Sequence, residues 1–218
     1  MNCVVINSNR DSLHANNKKT LLNIEHSTGL RNKFKITNEK GNVVYKCKLN
    51  PLITETHKIT DAKGKTIVKF SLDMVTNRDC FNLYINSKNN NYGNDKDFYK
   101  NDYMNVNILL FSENFDTRKY QIEYFNKVTG YSDIIELIDR SYYKKKFGMV
   151  YDYEIYNGSQ DLNASLLCDA DQSFKSKMKS SIAIQPGVEP LYMVILHLCV
   201  FLFHSYKSNR KWINMYML

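Results

Sequence analysis

The sequence predicts a mainly β fold, a closed antiparallel β-barrel of successive hairpins around a buried C-terminal hydrophobic α-helix. Three observations lead to this prediction. Tyr (16) and Phe (11) are abundant while Gly (8) and Pro (3) are scarce, and aromatic residues suit the pleated, half-buried surface of a sheet. A hairpin pattern occurs twice in the first third of the chain. One strongly apolar run lies near its end.

The hairpin pattern joins residues 34–50 to residues 57–73, which align at an offset of 23 and read FKITNEKGNVVYKCKLN and HKITDAKGKTIVKFSLD. The identical pairs are Lys35/Lys58, Ile36/Ile59, Thr37/Thr60, Lys40/Lys63, Gly41/Gly64 and Lys46/Lys69. Each copy places Asn/Asp-x-Lys-Gly between two runs of alternating bulky residues. Gly permits the positive φ of a tight turn, and Asn or Asp favours the turn by bonding its own backbone. Two successive β-hairpins are therefore predicted.

Further strands are predicted where bulky residues alternate between turn signals such as Asn157-Gly158. They are Leu21–Ile24, Cys80–Ile85, Val106–Phe111, Tyr120–Asn126, Tyr131–Leu137, Val150–Ile155, Ala164–Cys168 and Ser181–Ile184. The polar residues 87–102 are expected to form a loop. With the two repeated hairpins, the chain holds at least nine strands arranged as a serial meander.

The apolar run is LYMVILHLCVFLF at residues 191–203, and it follows the strand-breaking Gln185-Pro186-Gly187. Pro190 suits the first turn of a helix, so a helix is predicted at about 189–206. A transmembrane helix needs about 20 apolar residues, and shorter runs are more often buried core helices. A helix that is apolar on all sides must be enclosed. We expect the sheet to enclose it, the alternative being a membrane anchor.

These elements divide the chain into three parts. Residues 1–20 are expected to be a loosely ordered polar leader, and residues 21–206 to be the barrel domain. Residues 207–218 form a tail that mixes basic and aromatic side chains. Such a mixture suits a membrane interface, the alternative being that the tail packs on the outside of the barrel.

The charge and cysteine content point to the partners and the compartment. A net charge of +8 attracts anionic partners, which are nucleic acid, acidic protein or anionic lipid. Five cysteines form no C-x-x-C pair, and the first residues lack the basic-then-apolar layout of a signal peptide. We therefore expect free thiols in a reducing compartment. This is the cytoplasm, with the protein peripheral to a membrane, and the nucleus is the alternative.

No pattern of an enzyme is found. The chain has no G-x-S-x-G, P-loop or H-E-x-x-H motif, and we expect no catalytic, cofactor or metal site. Asp169-Ala-Asp171 begins like a calcium loop, but Phe174 and Ser180 stand where that loop needs Gly and Glu, so a turn is expected. His197 is expected to be a core histidine bonded to a backbone carbonyl.

A barrel of hairpins that ends in one apolar helix resembles the tubby C-terminal-like superfamily, which comprises tubby proteins, phospholipid scramblases and LURP-one-related proteins. The likeness to LURP-one-related domains is carried by residues 34–46, 59–67, 182–188 and 191–199, and it extends over residues 20–206. The Pro-rich region, the cysteine cluster and the acidic calcium segment of scramblases have no counterpart. The resemblance therefore implies a non-enzymatic binding domain, without lipid scrambling. No phosphoinositide site can be transferred from tubby proteins residue by residue.

Basic clusters supply the candidate binding residues. Lysines that alternate along a strand emerge on one face of the sheet, and each basic residue near an anionic surface can add about 1 kcal/mol. The candidate anionic-ligand residues are Arg31, Lys33, Lys35, Lys46, Lys48, Lys144, Lys145, Lys146, Lys175, Lys177 and Lys179. For any single cluster, solvated charge is the alternative interpretation.

The leading hypothesis is a domain without a transmembrane span that docks on anionic membrane lipid, with phosphoinositide headgroups as candidates, through a basic face. The alternative is a protein-interaction or regulatory module of LURP-one-related type. Nucleic-acid binding is a third hypothesis, which no known reading motif supports.

Overall fold

The structure is a computed structural model that describes residues 18–27, 32–50, 56–75, 80–86, 103–113, 117–126, 131–140, 152–158, 165–171 and 179–216. These residues form twelve strands and one helix. The strands are β1 (Thr20–Ser27), β2 (Asn32–Asn38), β3 (Val43–Leu49), β4 (His57–Asp61), β5 (Thr66–Val75), β6 (Cys80–Asn86), β7 (Tyr103–Glu113), β8 (Arg118–Asn126), β9 (Tyr131–Asp139), β10 (Asp152–Asn157), β11 (Ser165–Asp171) and β12 (Lys179–Ile184). The helix α1 is Pro190–Tyr216.

Each strand from β2 to β11 pairs antiparallel with the strand that precedes it and the strand that follows it in the chain. The predicted mainly β fold of antiparallel strands with one C-terminal helix is confirmed. A closed barrel requires the first strand to pair with the last as well as with the second. β1 forms both pairings, because Leu22 lies opposite Asn38 of β2 and opposite Ile182 of β12.

The two repeated hairpins form as predicted. Gly41 and Gly64 both have positive φ, at 79° and 89°. The side chain of Asn38 accepts hydrogen bonds from the backbone N–H groups of residues 40 and 42, and Asp61 accepts one from residue 65. The register shifts after Ile36 in the first hairpin and after Ile59 in the second. These two positions are equivalent in the alignment. Both hairpins therefore have the irregularity in their strand pairing at the same place.

The sheet surrounds the apolar part of α1. All side chains from Leu191 to Phe203 are buried. The ring of Phe201 contacts Phe34 of β2 edge-on at 5.0 Å, and the ring of Phe203 stacks on Tyr120 of β8 at 5.3 Å. β2 and β8 lie six places apart in the strand order. Contacts to both show that the helix lies inside the sheet, as the burial of an all-round apolar helix requires.

Polar contacts inside the sheet centre on His197, which is fully buried. Its Nδ1 lies 2.9 Å from the hydroxyl of Tyr153, and its Nε2 lies 3.4 Å from the hydroxyl of Ser180. The sequence predicted a core histidine bonded to a backbone carbonyl, whereas these two partners are side-chain hydroxyls on β10 and β12. Such nonlocal contacts leave no signal near His197 in the sequence.

Other local predictions differ from the structure. Helix α1 continues beyond the predicted end at 206 to Tyr216, because no Gly or Pro interrupts residues 191–216. No described helix has a long enough apolar stretch to span a membrane. Asp169 and Asp171 lie in strand β11 rather than in a turn, because they pair with Ala183 and Ser181 of β12. The predicted loop 87–102 lies outside the described residues.

Candidate basic pocket on the outer face of the sheet

The outer face of β2, β3 and β4 is built by strict alternation. Phe34 of β2, Cys47 of β3 and Ile59 of β4 are buried and face the interior. The lysines on either side of these residues are exposed. Because successive side chains of a strand point to opposite faces, packing of the apolar residues against the helix turns the lysines outward. The exposed lysines are Lys33, Lys35, Lys46, Lys48 and Lys58.

The strand register aligns three of these lysines side by side. Lys33 of β2 lies opposite Lys48 of β3, and Lys48 lies opposite Lys58 of β4. We call Lys33, Lys48 and Lys58 the lysine row. Lys69 of β5 lies opposite Lys58 and continues it. Neighbouring strands lie about 4.8 Å apart, so like charges stand next to one another across several strands.

A second line of polar residues runs beside the lysine row. Glu25 of β1 lies opposite Lys179 of β12 and opposite Lys35 of β2, and Lys35 lies opposite Lys46 of β3. Residues two apart along a strand are about 7 Å apart. The two lines therefore form a grid of positive charge with a single carboxylate in it.

The residues of both lines, apart from Lys69, border one pocket of about 980 Å³. We call it the basic pocket. Six lysines and one glutamate are among its lining residues, which are Glu25, His26, Ser27, Lys33, Phe34, Lys35, Lys46, Cys47, Lys48, Asn50, Thr56, Lys58, Thr60 and Lys179. The concave surface is therefore strongly positive.

The lysines of the pocket differ in their partners. Within the described part of the chain, no carboxylate lies within ion-pair distance of Lys33, Lys48 or Lys58. The Nζ of Lys46 donates a hydrogen bond to the backbone carbonyl of Ala62 at 3.0 Å. The lysine row is thus an array of exposed ammonium groups open to an external anion.

Glu25 holds two lysines of the second line. Its carboxylate lies 2.9 Å from Nζ of Lys179 and 3.5 Å from Nζ of Lys35. The hydrogen bond and the charge of Lys179, together with the charge of Lys35, lower the pKa of Glu25. Glu25 is therefore ionised at neutral pH and carries the negative charge of the pocket.

The pocket also reaches the core through His26. The His26 ring stacks on Phe34 at 4.6 Å and contacts Phe201 of α1 edge-on at 4.9 Å. Its Nε2 lies 3.0 Å from the side-chain oxygen of Asn32. Burial lowers the pKa of His26. His26 is therefore neutral at pH 7, and the positive charge of the pocket comes from its lysines.

Favourable cross-strand pairs contribute about 0.2–1 kcal/mol each to a sheet, and like charges directly opposite each other destabilise it. Lys48 has such a neighbour on each side. We therefore predict that Lys48→Gln raises the free energy of unfolding by about 0.5 kcal/mol at low salt, measured by urea denaturation. The matched control is Lys63→Gln at the tip of the β4–β5 hairpin, which should change it little. A lower stability of Lys48→Gln than of the control would contradict the repulsion.

The structure brings together part of the candidate set predicted from sequence. Lys33, Lys35, Lys46, Lys48 and Lys179 all line the basic pocket. Arg31, Lys144, Lys145, Lys146, Lys175 and Lys177 lie outside the described residues. Sequence reasoning missed Lys58 and Glu25. The repeat alignment held a signal for Lys58, since it matches Lys35 in the first copy.

The buried cysteines of the described residues are not activated as nucleophiles. Burial raises the pKa of the thiols of Cys47, Cys168 and Cys199, so these side chains stay protonated and unreactive at neutral pH. Among the residues described, no group of three or more His, Cys, Asp or Glu side chains is placed to hold a metal ion. The basic pocket is therefore the site whose chemistry points to a ligand.

A family model described as LURP-one-related matches residues 19–201. The chain belongs to the LURP-one-related family. The family match begins next to β1 and ends inside α1, so it includes every strand that borders the pocket of this LURP-one-related domain.

Two further comparisons concern single proteins. The X-ray structure of a protein from Arabidopsis thaliana is similar to this LURP-one-related chain at 16% sequence identity. The similarity covers 88% of this chain and 94% of that chain, with a TM-score of 0.49. No curated protein matches the sequence.

Proposed function

We propose that this LURP-one-related domain is a non-enzymatic module that docks on anionic membrane lipid through the basic pocket. The observation that carries the proposal is the convergence of six lysines around one carboxylate in a single concavity. The lysine row costs folding stability through repulsion. An anion that binds between the ammonium groups removes that repulsion, and this favours the bound state.

Phosphate is the anion that fits the pocket best. Lysine binds phosphate as a point charge, and the short steps of the grid allow one phosphate group to contact ammonium groups on two adjacent strands. A headgroup with several phosphates can contact both lines at once. We therefore propose phosphoinositide headgroups as the ligand class.

A cytoplasmic site of action suits this ligand. The cytoplasmic leaflet is rich in anionic lipids, and its negative potential attracts basic residues within a Debye length of the surface. The lysine row lies on the outer face of the sheet, where it can approach a membrane without any change in the buried helix. Peripheral docking therefore requires no unfolding of the domain.

The test is vesicle co-sedimentation with phosphatidylcholine alone and with phosphatidylinositol 4,5-bisphosphate added. We expect binding to require the phosphoinositide and to weaken as salt rises. The triple variant Lys33→Gln/Lys48→Gln/Lys58→Gln should bind roughly 100-fold more weakly, at about 1 kcal/mol for each lysine.

The matched control neutralises Lys40, Lys63 and Lys65, which are exposed at the hairpin tips and lie outside the pocket lining. This control removes the same net charge and should retain most of the binding. Equal losses in the two triple variants would mean that net charge, rather than the basic pocket, attracts the protein. Absence of phosphoinositide binding would overturn the proposal.

A second candidate function, a protein-interaction module, rests on three exposed apolar side chains. Leu109 on β7, together with Tyr131 and Ile134 on β9, are 40%, 76% and 41% exposed. These strands flank β8, on the side of the sheet opposite β2. Capture of a stable partner that Leu109→Ser/Ile134→Ser abolishes, while vesicle binding is unchanged, would favour this function.

A further inference from the structure

We propose that Glu25 is a built-in competitor for the ligand, which occupies two lysines of the basic pocket until an external anion displaces it. This inference rests on the proposed function, because it concerns how the same site is regulated. It starts from the position of Glu25, which lies on β1 between Lys179 of β12 and Lys35 of β2.

The geometry of Glu25 is that of a bound anion. One carboxylate oxygen lies 2.9 Å from Nζ of Lys179, and the other lies 3.5 Å from Nζ of Lys35. A phosphate group placed between the same two ammonium groups would make equivalent contacts. Glu25 therefore fills with its own side chain the position that the second line of the grid offers to a ligand.

These contacts divide the lysines of the pocket into the lysine row and the pair that Glu25 holds, which is Lys35 and Lys179. Among the described residues the lysine row has no carboxylate partner, so a first phosphate group can bind there without displacing a described carboxylate. Full engagement of the second line requires Lys35 and Lys179 to exchange Glu25 for the ligand. Exposed ion pairs contribute little to stability, and all three side chains are substantially exposed, at 41% to 63%. The exchange is therefore accessible without any rearrangement of the backbone.

Two properties follow for the site. The ligand binds more weakly than the number of lysines suggests, because the loss of the Glu25 ion pairs offsets part of the favourable binding free energy. A headgroup with phosphates for both lines gains most, since it can occupy the lysine row first and then displace Glu25. Docking is thus reversible, and it responds to the number of phosphates on the headgroup.

The test measures the affinity of the full chain for phosphatidylcholine vesicles that contain phosphatidylinositol 4,5-bisphosphate. Glu25→Gln is expected to raise the affinity about fivefold, in line with the modest strength of exposed ion pairs. Glu39→Gln provides a charge-matched control, because Glu39 is exposed in the β2–β3 turn and lies outside the pocket lining. This control should raise the affinity by less than about twofold, since added salt screens distant charges.

A double-mutant cycle separates competition from bulk charge. If Glu25 competes for Lys35 and Lys179, the gain from Glu25→Gln shrinks to less than about twofold in the Lys35→Gln/Lys179→Gln background. An equal gain in both backgrounds, or no gain in either, would overturn the inference. The proposed function has its own criterion, which is loss of binding in the Lys33/Lys48/Lys58 triple variant. The two ideas can therefore fail separately.

Discussion

Reversal of the lysine row, by Lys33→Glu, Lys48→Glu and Lys58→Glu together, is expected to abolish binding to phosphoinositide vesicles. Each substitution replaces a positive charge by a negative one, and each elementary charge near an anionic surface is worth about 1 kcal/mol. The combined loss exceeds about 1000-fold and takes binding below detection in co-sedimentation. The fold should persist, because all three side chains are exposed and the new carboxylates remain in water on the outer face of the sheet.

The comparison variant for this reversal lies in the C-terminal part of the chain. Neutralisation of Lys207, Arg210 and Lys211 removes the positive charges of the segment that the sequence suggested as a membrane-interface tail. We expect that variant to bind within about tenfold of the wild type. Retained binding by the lysine-row reversal, with loss in the tail variant, would move the membrane contact from the basic pocket to the tail.

Truncation of Phe201 to alanine is expected to lower the free energy of unfolding by about 3–5 kcal/mol. Phe201 is 4% exposed and contacts both Phe34 and His26. Its loss would leave a cavity between α1 and the strands that carry the basic pocket. Because domains of this kind are stabilised by only about 5–15 kcal/mol in total, the variant should be close to its unfolding threshold at 37 °C.

The measurement for Phe201→Ala is urea denaturation followed by circular dichroism. Tyr131→Ala is the control, because it also removes an aromatic ring but from a side chain that is 76% exposed. The control should change stability by less than about 1 kcal/mol. A similarly small effect of Phe201→Ala would mean that α1 is not enclosed by the sheet.

Features that depend on neighbours in the sequence could be predicted from the sequence. The two hairpins follow from Asn38 and Gly41 and from their counterparts Asp61 and Gly64, which act within four residues of chain. The enclosure of α1 follows from its apolar residues on all sides. The outward direction of Lys33 and Lys35 follows from alternation, because a strand has a period of two.

Features that depend on strand pairing could not be predicted in the same way. The lysine row exists because β2, β3 and β4 pair in one particular register. Lys179 joins the pocket only because β12 pairs with β1. Glu25 is a single acidic residue in a strand, and no local pattern distinguishes it from any other surface glutamate. Its role becomes visible only when lysines from two other strands are placed beside it.

The two faces of β2, β3 and β4 have opposite effects on the stability of the sheet. Opposed lysines weaken the pairing of β2, β3 and β4, whereas the buried residues on the inner face of the same strands stabilise it. The same strands therefore carry the packing that holds the helix and the charge that we propose to bind lipid. Truncation of inner-face residues should lower the stability of the domain, whereas neutralisation of outer-face lysines should lower vesicle affinity without lowering stability.

The most direct test of the binding site is an NMR titration of the lysine side-chain signals with soluble inositol 1,4,5-trisphosphate. We predict that the signals of Lys33, Lys48 and Lys58 shift first and that those of Lys35 and Lys179 follow, while the hairpin-tip lysines stay unchanged. Shifts of equal size at Lys40, Lys63 and Lys65, or no shift in the lysine row at saturating ligand, would contradict the assignment of the basic pocket as the lipid site.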